Sequence, residues 1–260
     1  MDRRNFLGAS AAGFTAGAAA AAESASNQYF ELREYKMRYS PARQQQRLQE
    51  FLEKEHLPMT KRVGAAAAGY FSVYLGEESP RVFSLVVHDS LARMQETIEA
   101  QRADKDWLKA SREFDAEPRP AFDRVESRLL RAFDGMKKIE VPEIKADKPP
   151  RFFDLRTYQA ETFSDVAEKI NMFNTEEIAI FRKTGVNPVL FGETIVGAKM
   201  PNLTYLVWYD DIAARAKAWE GFLAHPDWIR IRSKPGWGNE DIVSDVGNTH
   251  LRPLPFSPIR

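Results

Sequence analysis

Two stretches of this chain are diverged versions of one another. Tyr29-Phe-Glu-Leu-Arg-Glu-Tyr35 returns as Phe152-Phe-Asp-Leu-Arg-Thr-Tyr158, 123 residues later. Beyond that the offset settles at 121 and holds without a gap. Gly64 answers Gly185, Pro80 answers Pro201, and Asp106-Trp107 answers Asp227-Trp228. Val82-Phe-Ser-Leu-Val-Val-His-Asp89 likewise becomes Leu203-Thr-Tyr-Leu-Val-Trp-Tyr-Asp210. A constant period that carries rare residues with it marks a tandem duplication, so each copy is one unit that buries part of its apolar surface against the other.

Each copy reads in the same order. An alternating run opens it, Phe30 and Leu32 against Glu31 and Arg33, the period of a half-buried strand. A helix follows from about Pro41 to His56, or Phe163 to Lys183 in the second copy, and a glycine, Gly64 or Gly185, closes that segment. Two strands (70–75 and 82–88; 189–196 and 203–209), a second helix (91–101; 213–223) and a last strand (125–133; 246–254) complete the unit. The order β-α-β-β-α-β is the ferredoxin-like unit, so the fold class is α+β, a tandem pair of such units. Helices cover only one face of each antiparallel sheet, so the two sheets are expected to pair face to face. The expected boundaries are an N-terminal segment 1–26, a first module 27–133, a charged, proline-rich linker 134–151 and a second module 152–260.

The N-terminus carries an address. Arg3-Arg4-Asn5-Phe6-Leu7 precedes a small, apolar run from Gly8 to Ala22. This is the layout of a twin-arginine signal peptide with cleavage near Ala22, and it predicts a periplasmic product. The run is too short and too rich in Ala and Gly for a membrane span. Composition narrows the field further. Lys+Arg and Asp+Glu are equal at 37 each, without the basic excess of a nucleic-acid binder. The absence of cysteine removes disulfides, thiolate metal sites and cysteine nucleophiles.

The second copy, from Phe152-Phe-Asp-Leu-Arg-Thr-Tyr158 through Thr204-Tyr-Leu-Val-Trp-Tyr-Asp210 to Pro226-Asp-Trp228, resembles the NIPSNAP family of the dimeric α/β-barrel superfamily. The first copy is similar but more diverged, with Arg-Glu-Tyr for Arg-Thr-Tyr. The resemblance implies paired ferredoxin-like units forming a barrel. It brings no reaction, cofactor or catalytic residue with it.

Strand alternation assigns faces. With Phe30, Leu32, Phe153 and Leu155 expected against the helices, Arg33, Tyr35, Arg156 and Tyr158 are expected in the barrel lumen, beside Glu31 and Asp154. Tyr205, Tyr209, His88 and His250 complete the candidate ligand-binding set. The plainer alternative is that the Arg–acid pairs only tie the two sheets together. The four histidines, His56, His88, His225 and His250, have no metal-motif spacing. His56 sits on the apolar helix face after Leu48 and Leu52, as a core histidine does, with haem ligation the less ordinary reading. No cofactor is therefore expected.

Three functional readings stand at this point. The first is a barrel that binds a small, partly apolar ligand or a protein partner. The second, which the superfamily resemblance brings in, is an enzyme: a cofactor-poor oxygenase or a haem protein. The third is a non-catalytic assembly protein with dry-packed sheets. Duplication satisfies internally what dimerisation gives single modules, and both a monomer and a homo-oligomer fit. The copies differ at His88/Tyr209, Leu129/His250 and Ser84/Tyr205, which points to one asymmetric site rather than two equal ones.

Overall fold

The computed structural model describes residues 26–38, 43–76, 79–144 and 149–260. The expected signal peptide, with its cleavage near Ala22, lies outside the described residues. The first module runs β1 (Tyr29–Lys36), α1, β2 (Ala67–Leu75), β3 (Arg81–His88), α2 (Leu91–Ala103), α3 (Lys105–Asp115) and β4 (Arg124–Ala132). The second repeats it as β5 (Phe152–Gln159), α4, β6 (Asn187–Val196), β7 (Asn202–Tyr209), α5 (Ile212–Ala224), α6 (Pro226–Arg232), the short α7 (Asn239–Ile242) and β8 (Asp245–Pro253). Helix α1 comprises Arg43–Phe51, a π turn Leu52–His56, and Leu57–Arg62; α4 comprises Phe163–Met172, a π turn Phe173–Glu177, and Ile178–Thr184. The π turns occupy equivalent positions, a scaffold feature shared by both copies. The Asp-Trp segments, left without an element in the sequence, become α3 and α6. Asp104 caps α3, accepting the Trp107 N–H, and the His225 side chain caps α6.

The eight strands close into one antiparallel barrel in the order β1-β3-β2-β8-β5-β7-β6-β4. Each module contributes four consecutive strands, and the modules meet at two seams, β2–β8 and β4–β6. The β4–β6 seam is tight: a Cβ added at Gly192 would lie 2.7 Å from Cβ of Leu130.

The barrel reverses the expected strand faces. Phe30, Leu32, Phe153 and Leu155 point into the lumen, where they pack with Phe71, Phe83, Leu85, Leu130, Leu206 and Leu251. An eight-stranded barrel is only wide enough for side chains to fill it. The space left among its leucines is about 10 Å³, short of what a water needs. Arg33, Tyr35, Arg156 and Tyr158 accordingly lie on the outer face of the sheet, beneath the helices. Tyr35 packs with Leu48, Leu52 and Tyr70 under α1; Tyr158 packs with Phe173, Phe181 and Tyr205 under α4. The polar strand residues thus do not converge between the sheets. They form two separate sets, one on each side of the barrel.

The first part of the linker, residues 135–140, is docked on the barrel. Gly135 N–H donates to Asn174 Oδ1 on the π turn of α4, Ile139 N–H to Gln28 Oε1, and Glu140 N–H to the Val189 carbonyl. Ile139 packs against the lumen cluster, so this segment covers the barrel's apolar interior.

A candidate site under the first module's helices

In the first module β1 and β3 run side by side, and α1 and α2 cover them. Glu31 and Arg33, two residues apart on β1, share the helix-facing side with His88 at the end of β3. Arg33 grips one carboxylate oxygen twice: Nε at 2.8 Å and Nη2 at 2.6 Å from Glu31 Oε1. The other oxygen, Oε2, lies 3.9 Å from His88 Nε2. Burial would raise the Glu31 pKa, but His88, when it carries a proton on Nε2, and the Arg33 guanidinium outweigh it and hold the carboxyl at about 2.

His88 is 4% exposed. Its Nδ1 lies 3.1 Å from Thr97 Oγ1 on α2. That hydroxyl also sits 2.6 Å from the Arg93 carbonyl and 2.9 Å from the Met94 carbonyl, the ordinary back-bonding of a helical threonine. Among the described residues, neither His88 Nε2 nor the buried Ser84 Oγ four residues earlier on β3 has a hydrogen-bond partner. Glu31, Arg33, His56, Met59, Thr60, Thr97 and Gln101 join His88 around a small cavity. It has room for water-sized groups over about 20 Å³, and its empty space including the open mouth is about 310 Å³.

His56 closes the floor of this cavity from the π turn of α1. Its Nδ1 is 2.7 Å from the Tyr70 hydroxyl, and its ring meets Tyr70 and Trp107 edge-on. Burial pushes its pKa down to about 4. With Nδ1 held by the Tyr70 hydroxyl and its ring edge-on to Tyr70 and Trp107, this imidazole packs as a core residue. Among the described residues no three His, Asp or Glu side chains gather as a metal site, and no helix is long and apolar enough to cross a membrane.

The second module fills the equivalent space with its own side chains. Thr60, Ser84, His88, Ile98 and Gln101 become Phe181, Tyr205, Tyr209, Trp219 and Phe222. Phe181 packs against Tyr205, Trp219 and Phe222 with ring centroids 4.9–5.9 Å apart. Arg156 no longer pairs with an acid: its guanidinium stacks 4.6 Å from the Trp219 ring and donates to the Tyr158 hydroxyl. The Tyr205 hydroxyl donates to Tyr158 at 3.0 Å. At the position of His56 stands Glu177, ion-paired at 3.0 Å with Lys169, both about 1% exposed.

His250 stands apart from both sets. It bonds through Nδ1 to Asp154 Oδ1 at 2.6 Å, while Arg215 from α5 holds the other oxygen at 2.7 Å. The fully buried Asp154, cognate to Glu31, is thus saturated by its partners. Of the eight residues singled out in the sequence, only Arg33 and His88 line the first-module cavity. Glu31, Thr97 and His56 complete that site. The sequence signal for this cavity is that smaller or more polar residues of copy one face aromatic ones of copy two, Thr60 against Phe181 and Gln101 against Phe222; Thr97, facing Ala218, carries no such signal.

A family model named NIPSNAP matches residues 30–134 and again residues 153–258. The chain belongs to the NIPSNAP family. The two matches fall on the two structural modules, so each module is a copy of the NIPSNAP domain. No curated protein matches the chain. Among solved structures, a candidate monooxygenase of Fusobacterium nucleatum superposes with a TM-score of 0.56 at 8% identity, covering 88% of this chain and 93% of its own. A second candidate monooxygenase, from Lactobacillus acidophilus, gives 0.54 at 8% identity, with 86% and 93% covered. These likenesses establish the duplicated barrel fold. A NIPSNAP-like domain protein of Burkholderia xenovorans is 25% identical over 42% of this chain and 89% of its own, with a TM-score of 0.37.

Proposed function

We propose that this NIPSNAP protein binds a small, partly apolar ligand between the sheet and helices of its first module, while the second module serves as a filled, structural half. One observation carries the reading: a buried imidazole nitrogen, His88 Nε2, faces a cavity with no hydrogen-bond partner among the described residues. A buried polar atom left unpaired costs about 1–3 kcal/mol, and such atoms are tolerated where a ligand or water satisfies them. The walls supply the apolar part through Met59, Val63, Val86 and Ile98. The sheet–helix pocket replaces the lumen as the place to look.

The test is a fragment titration of the whole mature chain followed by methyl and histidine-ring NMR. Hits are expected to move the signals of Met59, Thr97 and His88 together. Gln101→Phe, which copies the second module, should abolish that response. Hits confined to the second module, or none at all, would sink the reading. Oxygenase chemistry is the rival. The fold neighbours lend it only their fold, and oxygen uptake on adding a hit would favour it.

Export belongs to the same reading. Arg3-Arg4 and the apolar run to Ala22 route the protein through twin-arginine translocation, and lysines at both arginine positions should hold it in the cytoplasm.

A further inference from the structure

The hydrogen-bond chemistry of the first-module cavity selects among ligands. Thr97 has a single hydroxyl proton, and two backbone carbonyls at 2.6 and 2.9 Å compete for it; neither carbonyl can donate in return. The oxygen is then free to accept, and the group that reaches it is His88 Nδ1 at 3.1 Å. Nδ1 therefore carries the hydrogen in the neutral ring, and Nε2 presents a lone pair to the cavity. Facing it at 3.9 Å is Glu31 Oε2, the carboxylate oxygen that Arg33 leaves free. With the ring neutral, two acceptors thus confront each other across a space too long for a direct bond, in a partly open cavity with about 20 Å³ of room for a water-sized group.

From this geometry we infer that the cavity is a receptor for a group bringing two hydrogens on one atom, and that its ligand is a neutral primary amide or amine head on an apolar tail. The inference rests on the ligand-binding reading above and narrows it. One N–H donates to His88 Nε2 and the other to Glu31 Oε2, while the tail lies along Val63 and Ile98 toward the mouth. A hydroxyl brings only one hydrogen and would turn a lone pair toward one acceptor. A carboxylate brings none and would set its charge against Glu31. A cationic ammonium finds the Glu31 charge already matched by the Arg33 ion pair at 2.6 Å, so a neutral head is preferred. The second module cannot offer this arrangement. Asp154 there is saturated by Arg215 and His250, and Tyr209 stands in place of the imidazole.

Three probes of one shape separate the possibilities: benzamide, N,N-dimethylbenzamide and benzoate. Each is titrated into the mature protein labelled with ¹⁵N at histidine, with His88 assigned through His88→Gln. Benzamide is expected to bind roughly tenfold or more tightly than the dimethyl compound, because the latter leaves both buried acceptors unpaired. The His88 ring should keep its Nδ1–H form while the Nε2 signal shifts as it accepts a bond. Glu31→Gln, which can turn an amide N–H into the cavity, should narrow the gap between benzamide and benzoate. Equal binding of benzamide and its dimethyl analogue would overturn the two-hydrogen inference and leave the ligand-binding reading standing. Preferential binding of benzoate would overturn it too, showing the pocket to be cationic. If no probe moves His88 while the fragment screen finds other occupants of the pocket, the inference falls alone. If that screen is also silent, both fall.

Discussion

Removing Lys169 from the second module should leave the carboxylate of Glu177, on the same helix α4, buried without its counter-charge. Lys169 Nζ lies 3.0 Å from Glu177 Oε2 and 3.3 Å from Asn239 Oδ1, above the rings of Tyr158, Phe173 and Trp228. At that separation and an effective dielectric near 20, the direct attraction is about 5–6 kcal/mol. The desolvation of both ions consumes most of it, so the pair contributes little net stability. Lys169→Met removes the attraction and keeps the desolvation, leaving a carboxylate buried among aromatics. The expected loss is about 3–5 kcal/mol, a large share of an ordinary domain's 5–15 kcal/mol. The double variant Lys169→Met/Glu177→Leu should recover most of that loss, since an apolar pair of similar volume replaces the ions. Urea denaturation followed by tryptophan fluorescence measures both. The pH axis adds an independent check. Burial already raises the Glu177 pKa, with Lys169 opposing it. Without the lysine the folded pKa rises further above its unfolded value of about 4.3. The deficit of Lys169→Met relative to wild type should therefore shrink as pH falls toward 4, because a neutral carboxyl needs no counter-charge. A single variant that loses under 1 kcal/mol, or a double variant as unstable as the single, would refute this account.

Three further outcomes are expected. Glu31→Gln removes a carboxylate held at about 2, whose stabilisation is complete above its unfolded value and lost as pH falls through 2; the variant should be less stable by roughly 2–3 kcal/mol at neutral pH, with the gap closing between about pH 4.5 and 2 in thermal melts. His56, held neutral with a pKa of about 4, makes the fold lose stability progressively as pH drops from about 6.5 to 4, and His56→Gln should flatten the melting temperature across that interval. Gly192→Ala should destabilise by about 1–3 kcal/mol because its Cβ meets Leu130 across the β4–β6 seam, whereas Gly185→Ala, at φ +82° but with its nearest neighbour 3.8 Å away, should lose only about 1–2 kcal/mol for the left-handed backbone; chemical denaturation ranks the two.

The repeat made the elements legible down to a residue or two at most ends, because turn glycines, prolines and strand alternation recur at one offset. The faces of the strands were not legible. Alternation tells which residues share a side, but a closed barrel buries both sides, one in the lumen and one under helices. Phe30 and Leu32 suit either environment; what decides is that a narrow lumen shared by eight strands has no room for Arg33 or Arg156. The site was half legible for the same reason. The contrast between His88 and Tyr209 pointed to an asymmetric pocket, but Thr97 reads as a plain helix residue until the fold sets it against His88. The docked linker was hidden by its composition: Ile139 is one apolar residue in a charged stretch, and only the open end of the barrel gives it a partner.

The two seams also bear on how such a chain can change over generations. In a symmetric pair of single modules every substitution occurs twice, so a mutation that tunes one pocket spoils or improves both together. Once the modules share one polypeptide, the copies can drift apart. The second has accumulated Phe181, Trp219, Tyr205 and Phe222, a stabilising aromatic cluster. That surplus lets the first copy keep an imidazole nitrogen without a hydrogen bond and an unfilled cavity without bringing the whole barrel below its threshold for folding. Division of labour, with one half specialised for endurance and the other left free to vary its chemistry, follows from closing the barrel within a single chain.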